Sequence, residues 1–436
     1  MMVCDGVLAR LRLAVEGVAA DPWACARRPG RDFTRSRKLG LARLLWTIVT
    51  MGTDTLGMEL LRACGMSAEA PTVGALCQQW AKLNDEAMPR LHASFLSMFA
   101  PVPTMGRFWL LACDGTGLAM APDASDEDTR VPPSRGSDGR NECHLTCAYD
   151  VARGVFTDMV CQGGRSQDEP GAACELVARC APPAGLEPLW LMDRGFWSLN
   201  LLWRLRASGA HFVCRLRGRD AEGLLRPWLR GVPPRGVGSV DVGVELCATR
   251  SRSAAGRTRP LEPWLYFHQR ASQRFGGLAP GEAGECWLSV RVVRVATRGG
   301  GLWLATDLPA EGFPPSALAA LYARRWSEEV AFGELKHTVG LECPHVRTLP
   351  RVAQECWGRL TLHAACALSA STLPRPAPAG RATDRTACFK LVCARLRAAA
   401  VDVARVCARL TQAVRPGRSF RRRRRTPAPP SFSNRH

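Results

Sequence analysis

Three carboxylates in this sequence have the type and placement needed to hold divalent metal ions. Asp114 and Asp193 each follow a short apolar run, and a glycine follows each aspartate directly or one residue later. Such runs predict buried strands, so both acids are expected at strand ends, where a carboxylate is unfavourable unless it is paired or bound to a cation. Taken singly, either aspartate also fits a turn-forming or helix-capping role. Together with Glu329 they form an oxygen-donor set that favours Mg²⁺ or Mn²⁺ over zinc and predicts two-metal phosphoryl transfer.

Glu329 lies in a segment, LYARRWSEEVAFGELKH, that predicts one helix from Ser316 to about His337. Tyr322, Arg325, Glu329 and Lys336 share one narrow stripe of that helix, at roughly 0°, 300°, 340° and 320° around its axis. A phenol, a guanidinium, a carboxylate and an ammonium on one stripe suit a helix that faces phosphates and a metal. The alternative is that Arg325 and Glu329 form an ordinary i,i+4 ion pair on a solvated face.

The elements that must position these residues form a recognisable order. Apolar runs and their periods predict strand, strand, strand, helix, strand, helix, strand between residues 108 and 217, with a hairpin turn at Ala152-Arg153-Gly154. This order predicts an α/β fold with a mixed sheet and helices on both faces. Short β segments follow. Helical periodicity returns in the helix that contains Glu329 and again in 351–372 and 383–413.

The predicted organisation has six parts with different periodicity and composition. They are a helical N-terminal module for DNA binding or assembly (1–100), the first part of the catalytic domain (105–217), a β-rich insertion (218–309), the catalytic-domain helix with Glu329 (310–350), a helical C-terminal region (351–414) and a disordered basic tail (415–436). The polar loop 121–141 matches no pattern that assigns it a role.

The charge balance favours a polyanionic partner. Lys plus Arg is 59 against 39 Asp plus Glu, a net charge of +20. Eight arginines of the tail, five of them in Arg421–Arg425, contribute to this sum, and a general arginine bias inflates it further. The 19 cysteines are scattered and predict reduced thiols rather than disulfides. No apolar run is long enough to predict a membrane span, so a cytoplasmic nucleic-acid enzyme or a basic nucleic-acid scaffold is expected.

The motifs LLACDGTGL, LMDRGF and Y-x2-R-x3-E-x6-K resemble the insertion-sequence DDE transposases, in particular the bacterial group named for its Tyr-Arg-Glu-Lys signature. The resemblance extends from about Phe33 to Thr372 and includes FTRSRKL, ATDLP and RW-x2-E-x2-F. It implies a ribonuclease-H-like, retroviral-integrase-like fold with a β-rich insertion before the glutamate. Glu328 departs from the pattern, because the family more often has an aliphatic residue there; this acid could weaken DNA contact or face solvent.

The resemblance also implies roles for individual residues. Asp114, Asp193 and Glu329 would be catalytic and would ligate two Mg²⁺ or Mn²⁺ ions. The residues expected to contact DNA are Tyr322, Arg325, Lys336 and Arg194, the last of which would support Asp193 or the DNA. His144 and His337 lie near the expected site, but a lone histidine is more often a hydrogen-bonded structural residue.

The function implied is a DNA transposase that binds the terminal inverted repeats of its element as a homodimer, cleaves the ends and joins the 3′-hydroxyls to target DNA. A bacterial cytoplasmic location is expected, associated with the nucleoid when DNA is bound. Two rival hypotheses remain: a nuclease or domesticated transposase of the same fold, and a non-catalytic basic DNA- or RNA-binding scaffold.

Overall fold

Strand β1 (Phe108–Ala119) shows how the sequence builds the centre of the fold. Its residues alternate between two cores: Leu110 and Ala112 pack on one side of the sheet, and Trp109 and Leu111 on the other. Because both faces are covered, the strand is apolar along most of its length rather than alternating with polar residues. The structure, a computed structural model, describes residues 2–133, 139–229, 239–249, 264–268, 275–278, 284–297, 300–372, 381–397 and 411–413.

One mixed sheet of ten strands organises the described residues, in the order β2-β3-β1-β5-β6-β10-β9-β7-β8 with β4 also paired to β3. The strands β1, β5 and β6 run parallel, whereas β3 pairs antiparallel with both β1 and β4. The predicted mixed sheet and its hairpin are therefore confirmed. The other strands are β2 (Arg130–Val131), β3 (Arg140–Asp150), β4 (Val155–Gly163), β5 (Glu187–Met192), β6 (His211–Arg215), β7 (Val240–Thr249), β8 (Trp264–His268), β9 (Glu285–Thr297) and β10 (Gly300–Thr306).

The strands β7 to β10 extend this sheet instead of forming a separate one. Strand β10 pairs antiparallel with β6, and β9 pairs with β10 and β7. The β segments predicted in this stretch are observed, but a helix, α9 (Gly218–Leu229), precedes them and was not predicted.

Helices cover both faces of the sheet, as predicted. One face carries α7 (Glu169–Arg179), α8 (Leu199–Ala207) and α9, whereas the other carries the long buried helix α12 (Leu349–Ser371). The helix α12 also packs against the N-terminal helices α1, α3 and α6, so the N-terminal helices share one hydrophobic core with the sheet. These helices are α1 (Met2–Ala19), α2 (Pro22–Cys25), α3 (Leu41–Thr50), α4 (Leu56–Ala63), α5 (Val73–Trp80) and α6 (Ala87–Ser97).

The signature segment is not one continuous helix, which corrects the prediction. It comprises α10 (Pro315–Ala323), α11 (Trp326–Glu334) and a π-helical turn (Leu335–Val339). Between α10 and α11, the N–H groups of Arg324 and Arg325 donate to carbonyls three residues earlier, at 3.1 and 3.0 Å. Tight i→i+3 bonds and a wide π turn each change the rotation per residue. A wheel drawn at a constant 100° therefore does not describe the whole segment.

The C-terminal region differs from the prediction near its end. Helix α13 (Arg385–Arg397) is observed, but residues Thr411–Ala413 form a strand, β12, paired antiparallel with β11 (Arg381–Thr383), so the helix predicted to continue to residue 413 is wrong there. Two threonines face each other in this pair, at positions 383 and 411, and β-branched residues favour strands. The predicted disordered tail 415–436 lies outside the described residues.

Candidate active site

Two neighbouring parallel strands bring the two aspartates together. Strands β1 and β5 pair in parallel as far as Cys113 and Met192, and Asp114 and Asp193 follow at the next positions. Strand β5 ends there whereas β1 continues to Ala119, so both carboxylates lie at the edge formed by the carboxyl end of β5. Each remains about one third exposed, with side-chain exposures of 28% for Asp114 and 33% for Asp193. The strand-end placement predicted for Asp193 is therefore observed, whereas that predicted for Asp114 is wrong, because β1 continues past it to Ala119 and pairs there with β3.

Arg325 links Glu329, which lies on helix α11, to the aspartates at this edge. Its Nη1 donates to Asp114 Oδ2 at 3.1 Å and its Nη2 donates to Glu329 Oε1 at 2.6 Å. The arginine side chain is only 8% exposed, whereas the two acids are each 28% exposed. The ion pair between Arg325 and Glu329 is thus present, but it lies against Asp114 of β1 rather than on a solvated face of the helix.

Tyr322 connects the preceding helix to the second aspartate. Its hydroxyl donates to Asp193 Oδ1 at 3.2 Å. Burial raises the pKa of the Tyr322 hydroxyl, so the group stays protonated and acts as a donor at neutral pH. The last residue of β6, Arg215, lies 3.8 Å from the same carboxylate oxygen. Sequence reasoning missed Arg215, although its position at the end of the third parallel strand could have revealed it.

The electrostatics of Asp114 show how crowded the negative charge is. Burial raises the pKa of Asp114 above its ordinary value. The Gly115 N–H, which donates to Asp114 Oδ1 at 2.8 Å, and the charge of Arg325 act in the opposite direction, while the charges of Glu329 and Asp193 raise the pKa further. A cation bound among these groups would relieve this repulsion.

Glu328 does not face solvent, which corrects one of the two expectations for it. The residue has no exposed surface, and neither carboxylate oxygen has a hydrogen-bond partner among the described residues. Burial, followed by the nearby charge of Asp114, raises the pKa of Glu328 well above its ordinary value. An aliphatic side chain would fit this environment at lower energetic cost, since a buried carboxyl without partners is unfavourable.

The structure does not bring the other expected site residues into this cluster by direct contact. Lys336 lies in the π-helical turn and pairs with Glu342 at 3.6 Å, so its predicted place on the stripe is not supported by a contact with the acids. Arg194 and His337 are exposed. His144 is buried, and its Nε2 lies 2.8 Å from Glu169 Oε1.

The donor chemistry of the cluster fits a divalent cation only after a rearrangement. Asp114, Asp193 and Glu329 offer carboxylate oxygens, which Mg²⁺ and Mn²⁺ prefer. Within the described ranges, however, no three acidic, histidine or cysteine side chains converge as a ready-made metal site. Arg325 already occupies the space between two of the acids, so a cation must displace its guanidinium from at least one carboxylate.

The sequence profile described as "Transposase DDE domain" matches residues 107–365, which is more than half of the chain and includes all three acids. The chain belongs to this transposase family. Members of the family catalyse DNA cleavage and strand transfer and normally use divalent metal ions. The protein is therefore a DDE transposase, as the Tyr-Arg-Glu-Lys motif indicated.

Two further similarities accompany the family match. The transposase InsG of insertion sequence element IS4 from Escherichia coli (strain K12) is 24% identical over 358 residues, which is 77% of this chain and 71% of that protein. A solved structure of the piggyBac transposase synaptic complex with hairpin DNA aligns with a TM-score of 0.45 and 11% identity, over 95% of this chain and 84% of that one. Among the helices described for this transposase, none is long and apolar enough to cross a membrane.

Proposed function

We propose that this transposase binds the terminal inverted repeats of its own mobile element, cleaves the ends and joins the free 3′-hydroxyls to double-stranded target DNA. The observation that supports this proposal is the joint attachment of Arg325 to Asp114 and Glu329 at the edge where Asp193 also lies. Three acids, carried by β1, the end of β5 and helix α11, thereby meet in a partly exposed position that a DNA backbone can reach.

In this proposal Asp114, Asp193 and Glu329 hold two Mg²⁺ or Mn²⁺ ions. When bound, such ions supply activation of the attacking oxygen and stabilisation of the leaving oxygen. Before binding, Arg325 neutralises two of the carboxylates; once it is displaced, its guanidinium is available to a phosphate, which it can bind through two parallel hydrogen bonds. Tyr322 keeps Asp193 oriented by donating its hydroxyl hydrogen.

DNA contacts outside the metal site are assigned to the exposed cations and the N-terminal helices. Arg194 follows Asp193 directly and is exposed, so it can reach a phosphate beside the cleaved bond. Lys336 is assigned a phosphate contact further along the DNA, since it does not touch the acids. Two transposon ends must be held together for joining, so we propose that a homodimer forms the synaptic complex. We further propose that the protein acts in the bacterial cytoplasm, at the nucleoid, and its similarity to a bacterial transposase supports this location.

The test uses purified protein and duplexes that carry the element's two ends. Asp114→Asn, Asp193→Asn and Glu329→Gln are each expected to reduce Mg²⁺-dependent cleavage on the order of 10³-fold or more while DNA binding stays near wild type. Glu187→Gln is the control, because Glu187 starts strand β5 at the end opposite Asp193. Unchanged cleavage in one of the three variants would remove that residue from the site.

The same assay separates the rival functions. Cleavage of paired ends without joining to target DNA would identify a nuclease rather than a transposase. Absence of any Mg²⁺ effect on cleavage would identify a non-catalytic DNA-binding protein.

A further inference from the structure

A cleft on the N-terminal helices is lined by four cations. It has a volume of about 460 Å³ and lies between the end of α1, the start of α3 and the end of α5. The charged residues that line it, within the described part of the chain, are Arg31, Arg35, Arg37 and Lys82, and none of its lining residues is acidic. The family profile begins at residue 107, so the cleft lies outside the matched domain.

None of these four cations forms an ion pair with a described residue. Asp32 lies within the lining segment, but it is only 3% exposed and pairs with Arg28 at 2.9 Å. Lys82 Nζ donates to the neutral Gln79 Oε1 at 3.2 Å. Like charges around one cleft repel one another, and a bound anion would remove this repulsion.

The protein core fixes the loop that carries the three arginines. Phe33 packs against the hydrophobic core with a φ of 60°, a conformation that a bulky residue adopts only where its surroundings impose it. Leu39 is buried in the same core. Arg31, Arg35 and Arg37 are exposed. The backbone is therefore held in place while the guanidinium groups remain accessible to a partner.

The first turn of α3 adds partial positive charge to the same cleft. Leu41 and Ala42 begin this helix and line the cleft, and no described side chain caps the helix at Gly40. The starts of α4 and α5 are instead capped by Thr55 and Thr72. Backbone N–H groups at a helix start favour phosphate oxygens, which adds to the effect of the four side chains.

A structural role does not account for the three arginines. Their side chains form no hydrogen bond with a described residue, whereas a structural arginine such as Arg359 donates to several backbone carbonyls. A pocket for a small anion would enclose its guanidinium groups, but these are exposed. Exposed guanidinium groups along an open cleft suit a long polyanion, and each can bind a phosphate through two hydrogen bonds.

We propose that this cleft binds the phosphate backbone of the transposon end, away from the cleaved bond. The inference rests on the proposed function, in which the protein binds the ends of its own element. Helix α3 packs against α12 within the core that also includes one face of the sheet, so the cleft keeps a fixed position relative to the three acids. Phosphate contacts position DNA without reading its sequence. DNA held in the cleft is thereby aligned for cleavage.

The experiment measures the DNA affinity of the full-length protein by fluorescence anisotropy at several salt concentrations, without divalent ions. The probes are two labelled duplexes, one with the sequence of the element's end and one with that sequence scrambled. The triple variant Arg31→Gln, Arg35→Gln, Arg37→Gln is expected to bind both duplexes on the order of 10²-fold more weakly. The slope of log affinity against log salt should fall by about 3, since each phosphate contact contributes about 0.9.

The matched control removes the same charge from the helices on the other face of the sheet. It is the triple variant Arg179→Gln, Arg219→Gln, Arg226→Gln, whose arginines are exposed and do not line the cleft. This control should keep the wild-type slope. Equal weakening by the two triple variants would overturn the inference, because only net charge would then matter.

The remaining outcomes separate this inference from the proposed function. Wild-type affinity and slope in the cleft variant would overturn the role of the cleft alone. Weakening confined to the end-sequence duplex would also overturn it, because base edges rather than phosphates would then be bound. Failure of the wild type to bind either duplex would overturn the proposed function itself. At saturating DNA, the cleft variant should cleave within about twofold of the wild-type rate, since only binding is altered.

Single substitutions keep the test decisive if the triple variant does not fold. Arg35→Gln and Arg37→Gln are each expected to lower the salt slope by about 0.9. An unchanged slope in both would overturn the inference.

Discussion

Two arginine–glutamate pairs at i,i+4 spacing occupy very different environments in this transposase. Arg325 and Glu329 lie at the edge of the sheet, and the acids that Arg325 contacts are 28% exposed. Glu355 and Arg359 lie inside α12 and are 3% and 1% exposed. The sequence spacing is the same, so the difference must come from the surroundings.

Protein groups satisfy the buried pair almost completely. Arg359 Nη1 donates to the carbonyls of Met51, Gly52 and Val339 at 2.7 to 3.0 Å, and its Nη2 donates to Glu355 at 2.7 Å. His345 donates its backbone N–H to Glu355 as well, at 2.9 Å. The pair ties α12 to the end of α3 and to the π-helical turn.

The pair at the sheet edge is satisfied by its own charges instead. Arg325 contacts Asp114 and Glu329 through its terminal nitrogens, and its Nε, like that of Arg359, has no hydrogen-bond partner in the described part of the chain. The acids beside Arg325 are partly exposed, whereas Glu355 is buried. A site that must exchange an arginine for metal ions needs such access from solvent, whereas a structural tie does not.

The largest effect is expected from breaking the buried pair. Arg359→Met should lower the free energy of unfolding by about 3–5 kcal/mol, because it leaves Glu355 charged and buried and removes donors from three carbonyls. Arg325→Met should cost only about 1 kcal/mol, since the acids it leaves are partly hydrated. Urea unfolding of both variants provides the measurement. Equal losses would show that the active-site arginine is also a structural tie.

A second buried group in the same core gives a pH-dependent effect. His92 Nε2 donates to the Phe156 carbonyl at 2.9 Å, and its Nδ1 lies 3.1 Å from Thr361 Oγ1. Burial lowers the pKa of His92 from 6.5 to about 4; the hydrogen bond to Phe156 opposes this shift, and the charges of Arg153 and His363 add to it. The unfolded chain binds this proton more readily. The stability contribution is therefore complete above pH 6.5 and is lost as the pH falls toward 4, by roughly 3 kcal/mol.

The measurement compares unfolding of the wild type and His92→Gln between pH 7 and pH 4. The difference between the two proteins should shrink as the pH falls, because only the wild type loses this contribution. His337→Gln, at an exposed histidine, should follow the wild type. A pH-independent difference would show that the imidazole is not kept neutral by burial.

Glu328 shows the effect of burying a carboxyl group without an ion-pair partner. It is as buried as Glu355 but lacks an arginine or histidine partner at hydrogen-bonding distance among the described residues. Glu328→Leu should raise the free energy of unfolding by about 2 kcal/mol at neutral pH. Glu328→Gln should give little gain, because the amide also needs partners. Thermal or urea unfolding measures both; destabilisation by leucine would show that the carboxyl has a required hydrogen bond.

The sequence was sufficient for the parts of the site that depend on strand ends and short helical spacing. Apolar runs identified the two strands that carry Asp114 and Asp193, although β1 continues past Asp114 to Ala119, and the four-residue spacing brought Arg325 to Glu329. Contacts across the fold were not readable: Arg215 reaches Asp193 only because β6 pairs in parallel with β5. The contact of Lys336 with Glu342 was also not readable, because it forms within a π-helical turn whose rotation differs from that of an α-helix.

The smallest effect on stability is expected from substituting Lys336. The same substitution tests whether a residue outside the acid cluster contacts DNA. Its pair with Glu342 is partly exposed, at 24% and 50%, so Lys336→Ala should change stability by less than about 1 kcal/mol. If Lys336 neutralises a phosphate, the slope of log affinity against log salt should fall by about 1. Glu342→Gln, which breaks the same ion pair but keeps the lysine, should leave that slope unchanged. Equal slopes for Lys336→Ala and the wild type would confine the lysine to its pair with Glu342, and DNA contact near the acids would then depend on the arginines.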